Sequence, residues 1–166
     1  MQLTHSTSKF KKHKFPIVLI CDNINNAPNI GSVFRIADAF GVEELVFCGK
    51  DIPIGRRMTK TSRSTEKYVN YRTEVDTEIA LSILKKTHRV IALEITEKSK
   101  SLSALKLAEK EPIALVIGNE NYGIALPVLK LCDTIVHIDM FGHNSSMNVV
   151  QAASIALFEI TRQLKD

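Results

Sequence analysis

Three short segments hold the residues whose types and spacing could do chemistry. The first is NINNAPNIGSVFRIADAFG, residues 23–41. Four asparagines lead into a helical pattern, and Arg35 stands inside it between Phe34 and Ile36. A guanidinium there suits phosphate recognition at the end of a preceding strand. It equally suits a surface arginine whose stem covers apolar neighbours. The second is IALVIGNENYGI, residues 113–124. A buried strand breaks at Gly118, and Glu120 is the only carboxylate before Gly123. Glycines let a ligand approach the backbone closely, although Asn119 and Glu120 also suffice to close a tight turn. The third is HIDMFGHNSSMNVVQAASIAL, residues 137–157. A strand ends at Ile138, a polar loop carries Gly142 to Ser145, and a helix opens near Ser146. Ser145 or Ser146 is a suitable helix cap. Asn148, a poor helix former, would then sit in the first turn of an apolar helix. Either it duplicates the cap or it serves a site.

Several familiar chemistries lack their residues. No G-x-G-x-x-G follows a strand, which disfavours a dinucleotide fold and its nicotinamide redox chemistry. The Gly118–Gly123 spacing lacks the Lys-Ser/Thr of a phosphate-binding P-loop. The five histidines (5, 13, 88, 137 and 143) show no metal spacing, and no G-x-S-x-G elbow exists. Cys21, Cys48 and Cys132 form no close pair; those in apolar runs read as buried reduced thiols. What remains is a set of strand ends followed by polar residues and glycine, the usual ligand position in open α/β sheets.

The elements that must position these residues follow from hydrophobic period. Strands are expected at 16–21, 44–49, 67–72, 89–95, 112–118 and 134–138. Helices are expected at 29–41, 76–88, 127–132 and 146–164, with Asp76 as a cap. Apolar strands alternating with helices predict an α/β fold, a mostly parallel sheet covered on both faces. Residues 50–66 read as a long polar loop. The chain has 166 residues, 45% hydrophobic and 24% charged. That suits one domain, 1–166, with a basic N-terminal extension over 1–15. No run approaches a membrane span and no secretory leader is evident, so a cytoplasmic protein is expected.

Charge is uneven. Residues 1–72 carry twelve Lys/Arg against six Asp/Glu; residues 73–166 carry ten against twelve. The excess lies in Lys9, Lys11, Lys12, His13 and Lys14, and in Arg56, Arg57, Lys60, Arg63 and Lys67. Such runs are either solvated surface or the footprint of a polyanion such as nucleic acid.

Taken together, N-x-G-x-x-x-R (29–35) ending at Gly41, GNExxG (118–123) and SMNV (146–149) closely resemble the three motifs of the SpoU, or TrmH, family of RNA ribose methyltransferases. The resemblance covers about residues 17–162. RRMTKTSRSTEKYV (56–69) resembles the family's second loop, with Ser64-Thr65 where Gly-Ala is usual. The resemblance implies a C-terminal trefoil knot and a homodimer with its site at the subunit interface. It implies S-adenosylmethionine held by Leu93 and Glu94, by Gly118, Asn119 and Glu120, and by Ile138 and Met140 leading to Ser146, Met147 and Asn148. It gives Arg35 the task of activating a ribose 2′-hydroxyl, with Asn29, Glu120, Ser146 and Asn148 completing the site and no metal required. Arginine stays protonated in proteins, so stabilising an alkoxide while gripping a phosphate fits it better than general-base action. RNA contacts are expected from Lys11, Lys12, Lys14, Arg35, Arg56, Arg57, Lys60 and Arg63. The RNA is expected to be tRNA first, rRNA next. A non-catalytic RNA-binding or assembly protein of the same fold is the alternative.

Overall fold

The structure, a computed structural model, describes residues 10–165. Lys9 lies outside the described residues, as does most of the basic N-terminal extension. The strands are β1 (Phe15–Asp22), β2 (Val42–Cys48), β3 (Asn70–Glu74), β4 (Arg89–Leu93), β5 (Lys100–Ser101), β6 (Ile113–Ile117) and β7 (Thr134–His137). The helices are α1 (Ala27–Ala39), α2 (Arg56–Ser62), α3 (Thr77–Leu84), α4 (Leu126–Leu131) and α5 (Val149–Leu164).

β1 shows why the central strands are continuously apolar. Ile17, Leu19 and Cys21 pack on one face with residues of α1, α2 and α5. Val18 and Ile20 pack on the other with residues of α3 and α4. A strand buried on both faces has no polar side to alternate with. The order is β3-β2-β1-β6-β4-β7-β5, and every pairing is parallel. The chain first runs outward through β2 to β3. It then returns to lay β6 between β1 and β4, and β7 between β4 and β5. The order therefore reverses between β1 and β6, and their carboxyl ends open the crevice where α/β sheets hold ligands. α5 closes the fold beside α1 and β4. Its Gln163 side chain accepts from Leu107 N and donates to the Leu105 carbonyl, both at 3.0 Å, so the helix is tied to the β5–β6 connection.

Besides closing α3 at Leu84 and β4 at Leu93 and adding β5, the structure corrects four local expectations. Residues 56–62, read as part of a loop, form α2, because Met58 and Ser62 bury one turn apart against α1. A single apolar residue is too weak a stripe to betray a helix. The strand expected at 67–72 starts at Asn70, since Thr65–Lys67 is spent on a 3₁₀ turn. The closing helix starts at Val149 rather than 146. Its cap is Asn148, whose side chain accepts from Val150 N, and not Ser145 or Ser146. α1 starts earlier than expected, at Ala27, because Asn26 accepts from Asn29 N and Pro28 fits the first turn. Asp76 caps α3 as expected, accepting from Glu78 N at 2.6 Å.

Candidate active site

The turn after β6 is held at almost every backbone amide. Asn119 and Gly123 exchange backbone hydrogen bonds of 3.2 and 2.9 Å. The Asn119 side-chain oxygen accepts from Asn121 N and Tyr122 N, and its amide donates to the Asn23 carbonyl at 2.7 Å. Beyond the turn, Glu94 Oε2 accepts from Ile124 N at 2.9 Å. Asp22 Oδ2 accepts from Ala125 N at 3.3 Å. Gly123 has φ +65°, and a Cβ there would stand 2.5 Å from the Glu94 carboxylate. Glycine is therefore required twice over, by conformation and by space.

The three segments meet in a chain of side-chain amides. The Asn148 side-chain oxygen is occupied by Val150 N, so its amide donates to Asn29 Oδ1 at 3.3 Å. The Asn29 amide in turn donates to Glu120 Oε1 at 2.5 Å. Each donor fixes the orientation of the next group, and the chain ends on the carboxylate.

Beside it opens a cleft of about 290 Å³ between the ends of β4, β6 and β7. All ten residues expected around a cofactor line it: Leu93, Glu94, Gly118, Asn119, Glu120, Ile138, Met140, Ser146, Met147 and Asn148. Glu94 is largely occupied, since its other oxygen accepts from Ile95 N at 3.0 Å. Below the turn, burial pushes the Cys21 thiol well up, and the nearby charges of Cys48, Glu120 and Asp22 act in the same direction. Burial likewise pushes Cys48 up to about 11. These thiols are filler, not nucleophiles.

Other candidates lie outside the cleft. Arg35 is on the exposed side of α1 and has no hydrogen-bond or ion-pair partner among the described residues. Gly31, in the same motif, has a packing reason: a Cβ there would collide with the Met58 carbonyl and the Thr61 hydroxyl of α2. Arg56, Arg57, Lys60 and Arg63 are exposed along α2 and its C-cap, on the helix that packs against α1. Lys11 and Lys12 are exposed. Lys14 has a structural task as well, donating to the Val42 carbonyl at 3.1 Å.

The model of the SpoU rRNA methylase family matches residues 16–158. The chain belongs to that family. Among its relatives is the 23S rRNA (guanosine-2′-O-)-methyltransferase RlmB of Ralstonia nicotianae, 31% identical over 150 residues, with 89% of this chain and 59% of the relative covered. The chain thus spans under two thirds of that relative's length. An AdoMet-bound rRNA methyltransferase from Sinorhizobium meliloti superposes with a TM-score of 0.84 at 20% identity, over 95% of this chain and 60% of that one. A structure described as giving insights into 2-OH methylation of C/U34 on tRNA superposes with a TM-score of 0.78 at 24% identity, over 89% of this chain and 95% of that one.

Within the SpoU frame, the motifs leave out two residues that matter here. Asp22 is a buried carboxylate, 2% exposed, that accepts from Thr77 Oγ1 at 2.6 Å, from the Asn23 side chain at 3.0 Å and from Ala125 N. Its one signal in the sequence is an acid ending an apolar strand. His137 lines the cleft, with Ser99 Oγ 2.9 Å from Nδ1 and Asp139 Oδ1 3.4 Å from Nε2. Nothing in its spacing marks it. Among the described residues no group of His, Cys, Asp and Glu is arranged to hold a metal, and no helix is long and apolar enough to cross a membrane.

Proposed function

We propose that this SpoU-family chain transfers a methyl group from S-adenosylmethionine to a ribose 2′-hydroxyl of RNA, tRNA before rRNA, in the cytoplasm. The observation that carries the reading is the Asn148–Asn29–Glu120 chain, which joins all three motifs at one cleft. The cleft suits the cofactor: Leu93, Ile117, Ile138 and Met140 offer aliphatic surface for a purine, beside the polar backbone of the Gly118 turn. When bound, S-adenosylmethionine supplies an electrophilic methyl on a sulfonium. The residues of the chain must then manage the nucleophile, a weak acid protonated at neutral pH. Arg35 holds the adjacent phosphate and stabilises negative charge developing on the 2′-oxygen as the hydroxyl proton passes to water. Glu120 and Asn29 orient the sugar, Ser146 completes the site on the cofactor side, and Asn148 caps α5 there. Arg56, Arg57, Lys60 and Arg63, with Lys11 and Lys12, follow the RNA backbone.

The same reading includes a homodimer and a trefoil knot. In support of the dimer, α5 leaves Ile155 (42%) and Phe158 (60%) exposed beside α1. A twofold contact there would bury both and bring Arg35 of one protomer toward its partner's cleft. In support of the knot, β6 and β7 enter between strands already laid down, and α5 is tied to the β5–β6 connection. The solved tRNA-related structure of nearly equal length favours tRNA; the RlmB relative keeps rRNA open. Mapping 2′-O-methylated nucleotides by mass spectrometry in a deletion strain tests the reading. A site lost in the deletion and restored by purified protein with S-adenosylmethionine is expected; an unchanged map in every RNA class refutes it.

A further inference from the structure

Tyr122 is 89% exposed, and its hydroxyl has no hydrogen-bond partner among the described residues. It sits at the tip of the Asn119–Gly123 turn, where glycine, asparagine, aspartate and serine are the residues that turn chemistry favours. An aromatic ring contributes to folding by being buried, and this one is not. Its backbone is nevertheless fixed. Tyr122 N donates to Asn119 Oδ1 at 3.2 Å, and the Asn119 amide is anchored on Asn23. On either side of it in the turn, Glu120 and Gly123 line the cleft. The ring is therefore carried beside the cleft on a held backbone, with no hydrogen bond or ring contact to the described residues. Phe141 is the other aromatic that adjoins a cleft residue in sequence, and it is 97% exposed. Its segment, residues 140–147, makes no hydrogen bond to any described residue, so that ring is not held in advance.

We propose that Tyr122 is a substrate-contacting residue that stacks on an unpaired nucleobase next to the ribose being methylated. This rests on the RNA ribose methyltransferase reading above. A ribose presented at the cleft brings its own base and its neighbours' bases to the rim. An unstacked base offers a π face that an exposed aromatic accepts whatever the base is. Such a contact holds the strand without reading its sequence, while the Arg56–Arg63 cations track the phosphates.

The chain has no tryptophan, so Tyr122→Trp introduces a single indole whose emission reports on the turn. The full chain is titrated with a fluorescein-labelled single-stranded oligouridylate, and in parallel, for the Trp variant, with the unlabelled strand. Tyr122→Ala should weaken oligonucleotide binding about fivefold or more, and Tyr122→Phe should restore it. S-adenosylmethionine affinity by calorimetry should not change in either. Indole emission of Tyr122→Trp should be quenched by the strand. Unchanged binding in Tyr122→Ala, with wild-type protein binding both ligands, overturns the stacking contact alone. Wild-type protein that binds neither ligand overturns the underlying reading with it. Indole emission that follows protein concentration without RNA, with a loss of dimer in Tyr122→Ala by light scattering, assigns the ring to the subunit contact and overturns the proposal.

Discussion

On one side of the cleft, the amides of Asn121, Tyr122, Gly123, Ile124 and Ala125 each have an acceptor, supplied by Asn119, Glu94 and Asp22. On the other side, residues 140–147 have none among the described residues. The first wall is a template that exists before any ligand arrives. The second has no such bonds, so any order that a ligand imposes on it is charged to binding. The acceptors of the first wall come from the ends of β1, β4 and β6, three strands locked in one parallel sheet. The second wall follows β7, which is short and lies next to the two-residue edge strand β5. The division has a use. For the methyl transfer proposed above, a rigid wall would set where the methyl donor and the ribose meet, and a less tethered wall would let the cofactor enter and its product leave.

The comparison is tested most severely by a residue on neither wall. If the cleft only binds and Arg35 performs the chemistry, then Arg35→Ala should reduce methyl transfer on the order of 100-fold or more. S-adenosylmethionine affinity should stay within about threefold. Single-turnover assays and calorimetry measure the two. A variant that turns over at the wild-type rate makes Arg35 a surface cation.

Next in size is the clamp itself. Glu94→Ala leaves Ile95 N and Ile124 N without their acceptor, and a hydrogen bond to a charged group contributes about 1.5–3 kcal/mol. If the turn's shape is what binds, cofactor affinity should drop on the order of 10- to 100-fold. Asn144→Ala, on the loose wall, should change it by less than about threefold. Equal effects from the two would mean that the walls do not differ in the way the hydrogen bonds indicate.

How much of this was legible in the sequence differs between the walls too. The sheet was readable because continuous apolar runs such as PIVLIC have few other uses. α1 was readable because Ile30, Val33, Phe34 and Ala37 share one buried face. The motif resemblance picked out the residues of the cleft, yet it could not show their bonds. Asn29 lies 91 residues from Glu120 and 119 from Asn148 in the chain, and only the return of β6 beside β1 brings them together. Asp22 was missed for the same reason: its donors come from residues 23, 77 and 125. α2 was missed because a lone Met58 carries its buried stripe, and the packing that needs it depends on Gly31 in another helix. Ser145 or Ser146 was expected as the cap because capping chemistry favours serine as much as asparagine. The chain starts the helix three residues later and leaves Ser146 to the cleft.

A smaller effect separates strand binding from the cleft altogether. Replacing Arg56, Arg57 and Lys60 with alanine removes three exposed cations from α2 and touches neither wall. RNA affinity should fall about tenfold at low salt, and the slope of log K against log salt should flatten by about 2 to 3, since each neutralised phosphate contributes about 0.7–0.9. Fluorescence anisotropy across a salt series measures it. An unchanged slope takes α2 out of the RNA interface.

The smallest expected effect addresses the comparison most directly. Amide hydrogen exchange reports local opening, and amides with a buried acceptor exchange only when that structure opens. In the free protein the amides of residues 121–125 should therefore be protected, and those of 140–147 should exchange near the unprotected rate. Adding S-adenosylmethionine at a few times its dissociation constant limits any protection it gives to about fivefold, because exchange proceeds from the unliganded fraction. That gain should appear in 140–147, where binding creates order, and not in 121–125, where order already exists. Slow exchange of 140–147 without ligand would show a wall held by contacts other than hydrogen bonds. A gain shared equally by both segments would show that the turn, despite Asn119, Glu94 and Asp22, also waits for the cofactor.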